Sequence, residues 1–117
     1  MTDDFTPYDP TTLPAPIVAY LDARDANAYA DAEAVFTRDA VVTDDGRTYE
    51  GIEAITEWIE TSSTEFTYTS TRIGQRTSGD EYVVQVRLDG TFPGGTVVLR
   101  YRFAVEGGLI GRLTIAV

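Results

Sequence analysis

The chain predicts an α+β fold, with helices gathered on one face of a twisted, mainly antiparallel β-sheet. Three observations carry this. Apolar residues in the first half recur at helical spacing, as in Ile52, Ile55 and Ile59 with Trp58 beside them. From Phe66 onward the period changes to two, so that Tyr82, Val84, Val86 and Leu88 alternate against Glu81, Gln85, Arg87 and Asp89. Turn signals then cut the second half into hairpins at Ser78-Gly79-Asp80, Phe92-Pro93-Gly94-Gly95 and Gly107-Gly108. Helices followed by a meander of hairpins make an α+β domain.

Taken in order, residues 1–12 are polar, hold Pro7 and Pro10, and predict a flexible, loosely attached N-terminal arm before a single domain over 13–117. Thr12 ahead of Leu13 and Pro14 predicts a helix start, with Thr as cap. Ile17, Tyr20, Leu21 and Arg24 share one face of that helix. A second, shorter helix follows, burying Tyr29, Ala32, Val35 and Phe36. Val41 and Val42 predict a short strand that Asp44-Asp45-Gly46 ends in a turn. Gly51 introduces the third helix. The strands are then expected over 66–77, 81–92, 96–106 and 109–117. Inward residues are Val97, Leu99, Tyr101, Phe103 and Val105 on the third of these, and Leu109, Leu113, Ile115 and Val117 on the last.

Composition removes whole classes of chemistry. With 117 residues there is one core, and a chain of this size buries roughly two thirds of its unfolded surface, enough to stand without staples. There is no Cys and no His, so no disulfide frame forms and no zinc, copper or haem site is expected. No cofactor and no metal is assigned. Nine basic residues, all Arg, face nineteen acids, for a net charge of −10. Such a surface argues against nucleic acid and against anionic membranes, both of which call for a basic face. The acidic start Met1-Thr2-Asp3-Asp4 lacks the apolar stretch of a secretory signal, and no apolar run approaches a membrane span. A cytoplasmic protein is the expectation.

Two adjacent carboxylates, Asp44 and Asp45, stand where the first strand leaves the core, in a chain otherwise poor in catalytic side chains. Two readings stand open. Asp-Asp-Gly is a plain strand-ending signal whose side chains cap backbone amides. The other reading is that a carboxylate placed there takes part in chemistry. The aromatics divide the same way. Most are core, whereas Tyr20 and Trp58 are the ones whose polar ends suit a pocket wall.

Phe36-x-x-Asp39-Ala40-Val41-Val42 leading to Asp44, then Gly51-x-x-Ala54-Ile55-x-x-Trp58, resembles the SnoaL-like branch of the NTF2-like superfamily. The later runs Gly90-Thr-Phe-Pro-Gly-Gly-x-Val, Leu99-Arg-Tyr-Arg-Phe and Gly108-Leu-Ile-x-x-Leu113-x-Ile115 fit as well. The resemblance implies a cone in which three helices close over a curved sheet, with a pocket at the wide end. It also implies dimers formed through the sheet. The superfamily hosts isomerases, cyclases, dehydratases, epoxide hydrolases and plain binding proteins, so residues must decide the activity.

Aligned on the ketosteroid isomerases of this fold, the base position falls on Asp44, while the two electrophile positions fall on Ile17 and Leu99. Losing one such donor costs on the order of 10²–10³ in rate, so steroid isomerisation by that route is disfavoured. Polyketide cyclases of the SnoaL kind place their acid later in the chain, on no matching carboxylate here.

The expectation is therefore a small-molecule-binding protein with a largely apolar pocket lined by Tyr20, Trp58, Val84, Val86, Leu99 and Tyr101. Proton-transfer chemistry of an isomerase or cyclase type would run through Asp44. The alternative is a non-catalytic dimeric interaction or accessory module. A limonene-type epoxide hydrolase ranks below both, because alternation shows no Arg inside the cone; an inward Arg72 or Arg87 between two acids would revive it. Arg47, beside Asp45 and Glu50, reads as a surface ion pair. Arg100 and Arg102, with Val98, Ala104 and Ile110, are expected on the outer sheet face, where a second copy would make a homodimer.

Overall fold

In the computed structural model, which describes residues 5–62, 68–91 and 93–117, three helices lie against a curved six-stranded sheet. The helices are α1 (Ala15–Asp25), α2 (Tyr29–Glu33) and α3 (Ile52–Ser62). The strands are β1 (Phe36–Asp44), β2 (Arg47–Glu50), β3 (Tyr68–Ser78), β4 (Glu81–Gly90), β5 (Thr96–Glu106) and β6 (Leu109–Ala116). The sheet order is β2-β1-β6-β5-β4-β3, antiparallel at every step except β1 with β6, which run parallel. This is the expected α+β cone. Phe66, where the expected strand 66–77 begins, and Phe92, expected in a turn, lie outside the described residues, as do residues 1–4.

One core fills the space between helices and sheet. Ile17, Tyr20 and Leu21 from α1 and Ile55, Trp58 and Ile59 from α3 meet Val84, Val86, Phe103, Leu113 and Ile115 from the strands. The helical and two-residue periods read in the sequence are thus the ones that burial uses. Several elements differ from expectation. Helix α1 begins at Ala15 with Pro14 as its cap residue and no side-chain cap, while Pro10–Thr12 forms a separate 3-10 turn. Helix α2 stops at Glu33, so Phe36 opens β1 instead of closing the helix.

β1 is also longer than expected and pairs with a strand that the sequence reading omitted. Asp44 faces Arg47 across the two-residue loop Asp45-Gly46, and both loop residues have positive φ (52° and 79°). That is the geometry of a type I′ hairpin, whose twist matches paired strands. The helix after it is docked by its first turn: Gly51 donates its N–H to the Ala40 carbonyl at 2.8 Å, at a φ of +87° that suits glycine.

The last strand corrects the outer face. Ile110, expected to be exposed, is fully buried, whereas Leu109 and Val117, expected inward, are exposed. Val117 lies past the end of β6, and for Leu109 and Ile110 the cause is a bulge. Ala104 pairs with Arg112 and Val105 with Ile110, leaving Gly111 as an extra residue that shifts the alternation by one. Arg100 and Arg102 do lie on the outer face, but there they have neighbours from their own chain. Arg100 sits 5.4 Å over the Phe5 ring, and Arg102 pairs with Glu81 at 3.2 Å.

Residues 5–12, expected as a loosely attached arm, are held to the edge strand β3. Thr6 and Gln75 exchange backbone hydrogen bonds at 2.9 and 2.8 Å. The buried Gln75 side chain accepts from the Asp9 N–H at 2.6 Å and donates to Thr12 Oγ1 at 2.7 Å. Covering an edge in this way removes a row of open donors and acceptors.

Candidate functional site

Asp44 reaches its place because the parallel pairing of β1 with β6 sets it beside Ile115, at the last rung before the Asp45-Gly46 turn. Its side chain is half-buried and turned inward. Trp58 comes from α3, on the face that Ile55 and Ile59 drive into the core, and its indole Nε1 donates to Asp44 Oδ2 at 3.0 Å. A hydrogen bond to a carboxylate is stronger than one between neutral groups and orients the acceptor. Tyr49, from β2, leans on the same indole with ring centres 5.9 Å apart. Both short elements are therefore needed to shape the acid's surroundings.

A cleft of about 480 Å³ opens at this point, bounded by Asp44, Arg47, Tyr49, Glu57, Trp58 and Ser62. That volume suits a small organic molecule. Deeper in the cone, α1 contributes Arg24, four residues after Tyr20 and on the same face. Its guanidinium lies 5.0 Å from the Trp58 ring centre and 5.9 Å from that of Tyr20. Nη2 donates to Ser62 Oγ at 3.0 Å, while Nη1 is buried with no hydrogen-bond partner among the described residues. An arginine inside the cone was not expected from strand alternation; it comes from a helix.

Burial opposes the charge on Arg24, but the surrounding phenols of Tyr20, Tyr68 and Tyr101 outweigh it and its pKa lies above the ordinary value. Burial likewise pushes the Tyr20 phenol up to about 12, with Arg24 pulling it back and Tyr68 and Asp44 adding to the rise. Tyr101 is raised well beyond the phenol range, first by burial and then by Tyr20 and Tyr68. Both phenols keep their protons at neutral pH and can serve as donors.

The candidate residues are distributed over this frame. Asp44 and Trp58 meet at the cleft. Val86 and Tyr101 line a recess of about 20 Å³ shared with Arg24, Tyr68 and Leu88. Tyr20 lies between, packed edge-on against Phe36 and Phe103 at 5.5 and 5.9 Å. Val84 is fully buried, and Leu99, its neighbour's partner across β4 and β5, packs against the core. Arg24, Tyr49 and Ser62 were not singled out beforehand. Arg24 alone had a signal, its spacing from Ile17 and Tyr20. Arg72 is indeed flanked by two acids, Asp22 and Asp25, each at 2.9 Å, but at the end of α1 where both carboxylates are exposed. Among the described residues no three acids converge as a metal site would require.

Chemically, the arrangement offers a hydrogen-bonded carboxylate at a cleft lined mostly by polar side chains, where a largely apolar pocket was expected. Beside it lie a half-buried cation and neutral phenols. Solved structures share its frame. Over 93% of this chain and 100% of the other, it is 31% identical to a protein from Sinorhizobium meliloti described as a "putative polyketide cyclase", with a TM-score of 0.87. A protein with a ketosteroid isomerase-like fold from Catenulispora acidiphila, solved with trimethylamine, is 18% identical at a TM-score of 0.77, covering 91% of this chain and 87% of that one. RV0760c from Mycobacterium tuberculosis, solved with estradiol-17beta-hemisuccinate, is 20% identical at 0.71, covering 87% and 90%. Among curated protein sequences none matches significantly. The SnoaL-like domain family matches residues 17–112, and the chain belongs to that family.

Proposed function

We propose that this protein binds a small, largely apolar metabolite bearing a carbonyl group at the mouth of its cone, and that Asp44 moves a proton on it. The observation that carries this reading is the Asp44 carboxylate, held at 3.0 Å by the buried Trp58 indole while it borders a cleft of about 480 Å³. A base fixed on one side of a pocket and open on the other has the geometry for proton abstraction. Ligand-bound relatives of the same fold support the binding half of the reading.

The test is a thermal-shift screen of apolar ketones, followed by NMR measurement of α-proton exchange in D₂O with wild-type protein and Asp44→Asn. The expected result is stabilisation by at least one ketone in both proteins, with exchange falling on the order of 10²–10⁴-fold in the variant. Wild-type exchange no faster than buffer would remove the chemistry.

A second reading, the non-catalytic dimeric accessory module, draws support from the tight packing of Tyr20, Phe36 and Phe103 inside the cone. Its homodimer would use the outer sheet face around Val98, and sedimentation analysis distinguishes it. The epoxide hydrolase reading draws least, because Asp22 and Asp25 are exposed beside Arg72.

A further inference from the structure

The cone contains a charge with no ion-pair partner among the described residues, that of Arg24. Arg24 donates to the neutral Ser62 hydroxyl and to the Tyr68 phenol. Asp44, the acid at the same mouth, is engaged by Trp58 instead. The indole separates the two, offering its N–H to the carboxylate and its face to the guanidinium at 5.0 Å. A half-buried ion without a counter-ion is incompletely solvated, and cation–π contacts recover only part of that loss. Such a group gains most when a negative charge arrives.

Its position limits what can arrive. Nη1 is buried and unpartnered, and the recess beside Arg24 has a volume of about 20 Å³ between Val86, Leu88 and Tyr101, its one carboxylate, Asp25, being already paired with Arg72 at 2.9 Å. A space of that size holds about one water-sized atom. It is too small for a molecule and adequate for one oxygen. Tyr101 on the same wall is a neutral phenol, so a second donor lies at hand.

We propose that Arg24 is the oxyanion receptor of this site, and that the ligand presents to it an oxygen carrying negative charge, either a carboxylate or the enolate of a ketone. The inference rests on the proposed ligand site at the cone mouth and adds the charge of the group it accepts. For a ketone, Asp44 takes the α-proton, the C–H electron pair moves into the enolate, and the charge on its oxygen is met by Arg24. The ion position differs from the Ile17 and Leu99 places where a ketosteroid isomerase carries its donors.

Calorimetric titration with 2-naphthoate, its neutral isostere 2-naphthamide, and the readily enolised cyclic diketone dimedone tests this. Wild-type protein is expected to bind naphthoate or dimedone at least tenfold more tightly than naphthamide, the one that wins identifying the source of the charge. Arg24→Met should erase that preference while keeping the naphthamide affinity, and Arg24→Lys should retain part of it. Fluorescence of the single tryptophan, Trp58, reports whether each variant folds. Arg24→Met is expected to melt close to the wild-type temperature; a marked fall would make Arg24 a packing residue and overturn the proposal. Binding of naphthamide with no anionic preference overturns Arg24's role and leaves the pocket standing. Binding of none of the three removes the pocket, and this inference with it.

Discussion

Trp58 and Asp44, fourteen residues apart, are tied by one hydrogen bond of 3.0 Å that joins helix α3 to the end of strand β1. The bond serves structure and site at once. It uses the indole's sole donor, and it leaves Asp44 Oδ1 free of that bond and beside the cleft.

Trp58→Phe should expose the double use. The variant loses the donor and part of the ring volume, and a destabilisation of about 2–4 kcal/mol is expected from the lost bond and the cavity together. Asp44→Asn keeps an acceptor for the indole and should cost no more than about 1 kcal/mol. Urea denaturation of both variants and of the double mutant measures the coupling between them.

Alkaline pH should weaken the fold through Tyr20. Its phenol is raised from about 10 to about 12, so the unfolded chain gives up this proton first. The stabilisation is complete below pH 10 and is lost as pH climbs through 12, with a slope on the order of 1 kcal/mol per pH unit. Melting temperatures between pH 9 and 12 should fall less steeply in Tyr20→Phe than in wild type.

Gln75→Ala should loosen the N-terminal segment without unfolding the cone. Two side-chain bonds, to Asp9 and Thr12, disappear from a buried site, at a cost of about 1–3 kcal/mol. Amide exchange at Thr6 should accelerate far more than exchange in β5 or β6, since the bridge to β3 depends on the same strand position.

Gly46→Ala tests the hairpin that shapes the mouth. Open space surrounds the position, so any penalty comes from its φ of +79° alone, about 1–2 kcal/mol. Chemical denaturation gives the figure, and a weakened Tyr49–Trp58 contact should appear as a shift in tryptophan emission.

Much of this could be read in advance, and the misses have physical causes. Ile55, Trp58 and Ile59 declared their face by spacing, and Trp58's polar end marked it for a partner. Asp45-Gly46 carried a hairpin signal as strong as any in the chain. The strand it leads into carries little signal of its own, because β2 is four residues long, with Tyr49 its only large apolar side chain. Arg24 sat visibly on the apolar face of α1, yet spacing does not say whether a long cation lies buried or extends to water. The bulge at Gly111 reversed the faces of Leu109 and Ile110, which no strict two-residue period can anticipate. The arm at residues 5–12 is held by a glutamine across more than sixty positions of chain, a pairing that local patterns do not encode.

The place of β6 has a consequence for how the molecule is made. Leu109–Ala116 inserts between β1 and β5, near the middle of the sheet, though it is synthesised after all the other strands. Until it arrives, two neighbouring edges stand open on a growing polypeptide, and the helices have no complete floor to settle on. A truncation removing those eight residues would leave the ribosome's product in two unjoined halves, prone to stick to its neighbours.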